Sequence, residues 1–170
     1  MKIKSKAFWK RLLKEAVIFL LFLMLFSVIL NHWRAPKLDD TRLPHLSGKT
    51  LEGQNVSTLL KKGQPVLIHF WGSWCPICRR EASNIDVVAQ NYPVLTIAVN
   101  SGLDEEVRQW LEKRNLHYPV LNDPYGTLAQ RFHITTFPTS LIYDSKGELK
   151  FVETGYTTTA GLMARMKLAE

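Results

Sequence analysis

Residues 65–81 of the chain read PVLIHFWGSWCPICRRE, and this stretch decides the fold. It opens with a short apolar run rich in β-branched and aromatic side chains, which is typical of a strand buried on both faces. Gly72 then marks a turn, and the cysteines Cys75 and Cys78 stand ahead of a helical stretch that continues to about Asn91. The sequence therefore predicts a buried strand, a turn and a helix that begins at the two cysteines.

The cysteine pair at a predicted helix start favours thiol–disulfide chemistry. Unpaired N–H groups and the positive end of the helix dipole lower the pKa of a thiol placed there. We expect Cys75 to be the exposed nucleophile and Cys78, one turn later, to resolve the mixed disulfide. Pro76 suits the first helical turn. Half of a zinc site is the alternative, but the chain has two cysteines in all, which excludes a four-cysteine site.

Strand and helix patterns alternate outward from this stretch. The sequence predicts a short hairpin over 45–56, a buried strand over 93–99, an amphipathic helix over 104–115, a short strand over 118–121, a helix over 124–132, a strand over 139–143, its antiparallel return over 149–153 and a closing helix over 158–169. Alternation favours parallel pairing, and the last two strands favour an antiparallel edge. The predicted fold class is α/β, with a central mixed sheet flanked by helices.

The N-terminal part of the chain has a different character. Residues 16–30 read AVIFLLFLMLFSVIL, without charge and with Ser27 as the one polar residue. Extended to Trp33, this segment is long enough to cross the apolar core of a bilayer as a helix. A cleavable signal peptide is the alternative, but cleavage needs small residues before the cut, and Ser27 is the only one near the end of the block. We therefore expect an uncleaved anchor that binds the lipid bilayer.

The charge distribution indicates how this anchor is oriented. Residues 1–15 carry six lysines and arginines against Glu15, which is +5 of the formal net charge of +7. The positive-inside rule predicts a cytoplasmic tail over 1–15, a transmembrane anchor over 16–33, a linker over 34–44 and a domain over 45–170 on the opposite side. In a bacterium this is a single-pass protein of the inner membrane with its domain in the oxidising periplasm. We expect no nucleic-acid partner, because the excess charge lies beside the apolar segment.

Residues 70–81, FWGSWCPICRRE, resemble the active-site stretch of thioredoxin-like proteins, in particular the membrane-anchored TlpA/ResA/DsbE group. Residues 136–139, TFPT, resemble the cis-proline loop of that family. The resemblance covers roughly residues 42–169 and implies a thioredoxin-like fold with an N-terminal β-hairpin and a βα insert around residues 101–121. Within the group, the chain resembles membrane-tethered oxidoreductases of the type that suppress copper sensitivity (the ScsD type).

The resemblance also implies roles for individual residues. Besides Cys75 and Cys78, it assigns catalytic roles to Glu81, which matches a functional acid of ResA-like and DsbE-like members, and to Pro138, whose bond to Phe137 is expected to be cis. The alternative for Glu81 is an exposed helix glutamate paired with a surface charge. The expected substrate-binding residues beside the cysteines are Trp74, Phe137 and Thr136.

Other residues near the cysteines have two interpretations each. His69 stands where thioredoxin has a buried aspartate, and it either tunes the thiol pKa or is a hydrogen-bonded core residue. Arg79 and Arg80 either stabilise the Cys75 thiolate and attract acidic partners or are solvated helix charges. Trp71 is interpreted as a packing residue.

The expected function is thiol–disulfide exchange with protein substrates, by analogy in the reducing direction, with electrons from a membrane thiol donor of the DsbD/ScsB type. One alternative is a factor for cytochrome c assembly, but residues 133–139, HITTFPT, lack the acidic, glycine-containing stretch of such proteins. Another is a copper-binding thiol chaperone, although those of this fold have three residues between the cysteines and a distant histidine ligand. A peroxidase is a further alternative, but neither cysteine stands in a sequence that resembles the peroxidatic cysteine of that family. We expect no cofactor. The remaining histidines are scattered along the chain and predict no metal site: His32, His45, His117 and His133.

Overall fold

A computed structural model describes residues 6–61 and 63–170 of the chain. The elements run in the order α1 (Lys6–Arg34), α2 (Val56–Leu59), β1 (Val66–Trp71), α3 (Pro76–Ala89), β2 (Val94–Val99), α4 (Asp104–Glu112), β3 (Val120–Asp123), α5 (Thr127–Arg131), β4 (Thr139–Tyr143), β5 (Leu149–Thr154) and α6 (Thr159–Leu168). The first five residues of the predicted cytoplasmic tail lie outside the described residues.

The chain divides into two compact units, the N-terminal helix up to Arg34 and the domain Ala35–Glu170. Within the part of the chain that the structure describes, α1 is the one helix long and apolar enough to cross a membrane. Its candidate span, Phe8–Asn31, has 24 residues, a mean hydropathy of 2.5 and no buried part. Such a helix satisfies the requirement that a spanning segment bonds all its backbone groups internally.

The domain is built on one five-stranded sheet with the strand order β3-β2-β1-β4-β5. Strands β1, β2 and β3 run parallel, whereas β4 is antiparallel to β1 and β5 is antiparallel to β4. The predicted mixed sheet with an antiparallel edge is therefore confirmed. The insert around residues 101–121 supplies α4 and leads into the edge strand β3.

Helices cover both faces of the sheet, which explains why β1, β2 and β4 are buried at every position. On one face, side chains such as Leu67 and Ile142 pack with α3, α4 and α6. On the other face, Ile68 and Leu141 pack with residues of α2 and α5. A strand covered on both faces reads as a continuous apolar run, so the period of two is lost in the sequence.

The segment predicted as an N-terminal hairpin reverses direction without forming two strands. Within the described residues, Lys49 and Asn55 form a single isolated bridge there. The physical reason is that the segment bonds in two directions: Thr50 N donates inside it to Gln54 O at 2.9 Å, whereas Leu51 N donates outside it to Val120 O of β3 at 2.7 Å. The next residues form the short helix α2, which the sequence analysis did not predict.

The predicted linker, residues 34–44, ends in contact with the domain. Leu149 N donates to Thr41 O, and Leu43 N donates to Gly147 O, both at 2.7 Å. These bonds pair residues 41–43 with the start of β5, at the end of the sheet where β1 begins. Trp71 ends β1 at the other end of the sheet, where the two cysteines follow.

Candidate active site

Cys75 is the N-cap residue of α3, with the extended backbone angles that this position requires. Its Sγ accepts a hydrogen bond from Cys78 N at 3.2 Å, in the place where a capping oxygen usually stands. Pro76 occupies the first helical position, where its missing N–H leaves no bond unmade. The helix therefore begins at the cysteines as predicted, and the Cys78 N–H at its N-terminus is directed at the sulfur of Cys75.

Cys75 and Cys78 are joined by a disulfide, with their Cα atoms 5.3 Å apart. In this oxidised form Cys75 is 5% exposed and Cys78 2% exposed, so the expected open exposure of Cys75 is not found. The physical reason is that the loop before β4 covers Cys75, whose Sγ lies 3.8 Å from Phe137 O. Cys75 is nevertheless the more exposed of the two cysteines.

The turn between β1 and α3 is closed by Cys75 N, which donates to Gly72 O at 3.1 Å, and is also held by neighbouring segments. Ser73 N donates to Ser101 Oγ at 2.9 Å, and Trp74 Nε1 donates to Val99 O at 3.0 Å. A Cβ on Gly72 would lie 2.5 Å from Cε2 of Trp74, so glycine lets the indole lie against the backbone. Ser101 was missed in the sequence analysis, because no local pattern marks a hydroxyl that bonds a turn 28 residues away.

The loop before β4 lies over the disulfide. The Phe137–Pro138 bond is cis, as the resemblance implied. The ring of Phe137 meets Trp74 edge to face, with centroids 5.4 Å apart, and Trp74 remains 51% exposed. Thr136 O accepts a hydrogen bond from Thr139 Oγ1 at 2.8 Å, which fixes the loop. Trp74, Phe137 and Thr136 thus lie on the two segments that border Cys75.

Glu81 is fully buried, which excludes the alternative of an exposed helix glutamate. Its Oε1 accepts a hydrogen bond from Thr157 N at 2.7 Å, and its Oε2 is buried without a hydrogen-bond partner. Burial raises the pKa of this carboxyl to about 7, the Thr157 N–H opposes the rise, and the charge of Glu153 adds to it. A carboxyl that titrates near neutral pH, one helical turn after Cys78, can accept or return a proton.

His69 lies on β1 in the layer of buried residues, and its Nδ1 forms a hydrogen bond of 2.9 Å with Ser140 Oγ of β4. Burial lowers the pKa of His69 to about 3, so the ring is neutral at physiological pH. The register pairs His69 with Ser140 and Ser140 with Glu153, which places all three side chains on the same face of the sheet as α3.

The surface around the disulfide combines apolar and basic groups. Ile77, in the first turn of α3, is 47% exposed and was not singled out by the sequence analysis. Arg79 and Arg80 follow it and are exposed. Trp71, in contrast, is buried against Trp110 and Tyr118, in agreement with its interpretation as a packing residue. Among the described residues, no group of three or more His, Cys, Asp and Glu side chains is arranged to hold a metal ion.

Comparisons with known proteins identify the family of the chain. Residues 40–152 match the AhpC/TSA family. A thioredoxin-like protein of Haemophilus influenzae is 33% identical over 166 residues, which covers 95% of this chain and 96% of the relative. The sporulation thiol-disulfide oxidoreductase A of Bacillus subtilis is 33% identical over 121 residues, 67% of this chain and 73% of the relative.

A solved structure has the same fold as the domain. The crystal structure of a thiol:disulfide interchange protein of the thioredoxin family from Chlorobium tepidum superimposes with a TM-score of 0.66 at 27% sequence identity. The match covers 76% of this chain and 95% of that protein.

Proposed function

This chain belongs to the AhpC/TSA family and is a thioredoxin-like thiol–disulfide oxidoreductase, and from this premise we propose that it reduces protein disulfides as a membrane-tethered enzyme. The single observation that carries the proposal is the Cys75–Cys78 pair at the N-terminus of α3, below a cis-proline loop. Cys75 is the nucleophile in this proposal, and Cys78 is the resolving thiol.

The proposed reaction begins from the dithiol form. The Cys75 thiolate attacks one sulfur of a substrate disulfide, a bond forms between the two sulfurs, and the substrate's other sulfur leaves and takes up a proton. Cys78 then loses its proton and attacks Cys75 Sγ, which releases the second substrate thiol. Two electrons have moved to the substrate, and the Cys75–Cys78 disulfide remains, the form that the structure holds.

Glu81 is the proposed proton acceptor for Cys78. It lies three residues after Cys78 on the same helix and has a buried oxygen without a partner. A carboxylate can accept the proton as Cys78 becomes a thiolate and return it when the disulfide is reduced again. Because Cys78 and Glu81 are both buried, direct transfer to bulk solvent is restricted and the carboxylate is the nearby acceptor.

Substrate contact is assigned in this proposal to Trp74, Phe137 and Thr136, with Pro138 shaping the loop. Trp74, which is exposed, and Phe137, which is half-buried, form an apolar edge next to the reactive sulfur. Aromatic side chains at the surface are frequent anchors in protein interfaces. Ile77 extends the same surface on the side of α3.

The location and the direction of electron flow are also proposals. The division into a cytoplasmic tail 1–15, an anchor 16–33, a linker 34–44 and a periplasmic domain 45–170 is supported by the basic N-terminus and by the apolar span Phe8–Asn31. In an oxidising compartment a reductant must be recharged, so a membrane thiol donor of the DsbD/ScsB type is the proposed source of electrons. A contribution to copper tolerance is proposed on the resemblance to the ScsD type alone.

Serine variants of the two cysteines test the proposed roles. With the full-length protein in detergent and insulin as the disulfide substrate, C75S should abolish reduction, because the attacking sulfur is gone. C78S should accumulate a mixed disulfide with insulin that is visible on a non-reducing gel. Ser83→Ala, on the exposed side of α3, is the matched control and should turn over like the unaltered protein. A mixed disulfide trapped by C75S instead of C78S would reverse the roles.

A further inference from the structure

The loop that joins β5 to α6, residues 155–158, contacts two parts of the candidate active site, the cis-proline loop and Glu81. Gly155 N donates a hydrogen bond to the carbonyl of Pro138 at 2.8 Å. Thr157 N, two residues further on, donates to Glu81 Oε1 at 2.7 Å. One short segment therefore holds the cis-proline loop at one end and the buried acid at the other.

Asn84 fixes this loop to α3. Its Nδ2 donates to Thr157 O at 2.9 Å and to the Tyr156 hydroxyl at 3.3 Å, and its Oδ1 accepts from Thr159 Oγ1 at 2.9 Å. Asn84 follows Glu81 by three residues, so both side chains leave the same side of the helix. The two together bond the N–H and the carbonyl of Thr157, which leaves its backbone little freedom.

The charged groups around Glu81 make the Thr157 N–H important. Glu153 of β5 faces Glu81 and disfavours its charged form, although Arg165 of α6 pairs with Glu153 at 2.6 Å. His69 of β1 lies on the same sheet face and is neutral, and the cysteines of α3 are uncharged as a disulfide. The Thr157 N–H is a donor that favours the carboxylate, in a site where Oε2 has none.

We propose that the loop of residues 155–158 is a positioning element that stabilises the charged form of Glu81 through Thr157 and links that charge to the cis-proline loop through Gly155. When Glu81 gains a proton, Oε1 becomes a weaker acceptor and the bond to Thr157 N weakens. A single residue separates Thr157 from Gly155, so a change at the Thr157 N–H reaches the bond between Gly155 N and Pro138 O. The catalytic meaning of this link rests on the proposed function, but the link itself does not.

The test is an NMR titration of the full-length, oxidised protein in detergent micelles, with ¹³C-labelled glutamate carboxyls and ¹⁵N-labelled amides. The E81Q variant identifies the Glu81 signal by its absence. Thr157→Pro removes the N–H and should raise the pKa of Glu81 by about half a pH unit or more, since a hydrogen bond to the charged form is lost. The Gly155 amide should titrate together with Glu81 and should stop titrating in E81Q.

Two further variants keep the test decisive. Asn84→Ala loosens the loop but keeps the Thr157 N–H, and it should raise the pKa of Glu81 by a smaller amount. It serves as the test if Thr157→Pro does not fold. Ser83→Ala, on the exposed side of α3 and outside the loop, is the control and should leave the pKa of Glu81 unchanged.

An unchanged Glu81 pKa in the folded Thr157→Pro or Asn84→Ala variant would overturn the inference. A Gly155 amide chemical shift that does not change as Glu81 titrates would overturn it as well. None of these signals needs turnover. A protein without reductase activity would still show the link, so failure of the proposed function and failure of this inference are separate results.

Discussion

The carboxyl of Glu81 has two oxygens in unlike surroundings, one bonded to Thr157 N and one buried without a partner. The sequence contained a signal for this burial, because Cys78, Glu81, Ile85 and Val88 follow the spacing of one buried helix face. The charge of a glutamate argued against it, since charged side chains are rarely fully buried. Its partner is 76 residues away, which no local pattern could predict.

Glu81 should make the stability of the folded protein fall as the pH rises through the neutral range. Its pKa is about 7 in the folded state against 4.5 ordinarily, so between these values the folded state binds more protons than the unfolded state. The full contribution, roughly 3 kcal/mol at 1.36 kcal/mol per pH unit, is present below pH 4.5 and is lost as the pH rises to about 7. E81Q should lose this part of the slope.

The measurement is the free energy of urea unfolding of the full-length protein in detergent, at several values between pH 4.5 and pH 8. Glu112→Gln, at the exposed end of α4, is the control and should follow the unaltered protein. Parallel curves for E81Q and the unaltered protein would show that Glu81 does not titrate in this range.

At the scale of elements, strands and helices with many apolar residues were predictable from the sequence. Short segments whose backbone bonds to distant parts of the chain were not. The strand β4, Thr139–Tyr143, has the bounds expected from its apolar run. The strand β3 begins two residues later than expected, at Val120. The helix α2 has four residues and no side-chain cap bond, so neither periodicity nor a capping signal marked it. In residues 45–56, the bond from Leu51 N to Val120 O joins positions far apart in the sequence, which no local pattern could predict.

The turn between β3 and α5 is held by one buried carboxylate. Asp123 Oδ2 accepts from Ala129 N, and its Oδ1 accepts from Thr127 Oγ1, both at 3.0 Å. Asp123→Ala should destabilise the protein by about 1–3 kcal/mol, because it leaves the buried N–H of Ala129 without an acceptor. Thr127→Ala removes one of these bonds at an exposed residue and should cost less.

Both variants are compared by urea unfolding monitored by tryptophan fluorescence. Equal stability of Asp123→Ala and Thr127→Ala would mean that the buried carboxylate is not what fixes the start of α5. Insulin reduction should persist in both variants under native conditions, since Asp123 contacts neither cysteine.

At the scale of the whole molecule, the two units follow from two patterns in the sequence, an uninterrupted apolar block and an alternating α/β domain. We predict that the chain stays in the membrane fraction after alkaline carbonate extraction and keeps its full mass of 19.5 kDa. Protease added to spheroplasts should digest the domain, because the basic N-terminus favours the cytoplasmic side.

Inverted membrane vesicles are the matched control for the orientation, since they should protect the domain. Digestion in inverted vesicles but not in spheroplasts would contradict the proposed orientation. A shorter chain in the soluble fraction would instead indicate that the N-terminal segment is a cleaved signal peptide.

The most direct test is to equilibrate the full-length protein with glutathione buffers of stepped potential, quench with acid, alkylate the free thiols and measure the intact mass. If Cys75 and Cys78 are one redox centre, both should convert together in a single two-electron transition, and a reductant should have its midpoint near −270 mV, as thioredoxin does. A midpoint near −120 mV would contradict the reducing direction, and a mass that never changes, or cysteines that convert in separate steps, would contradict the redox centre itself.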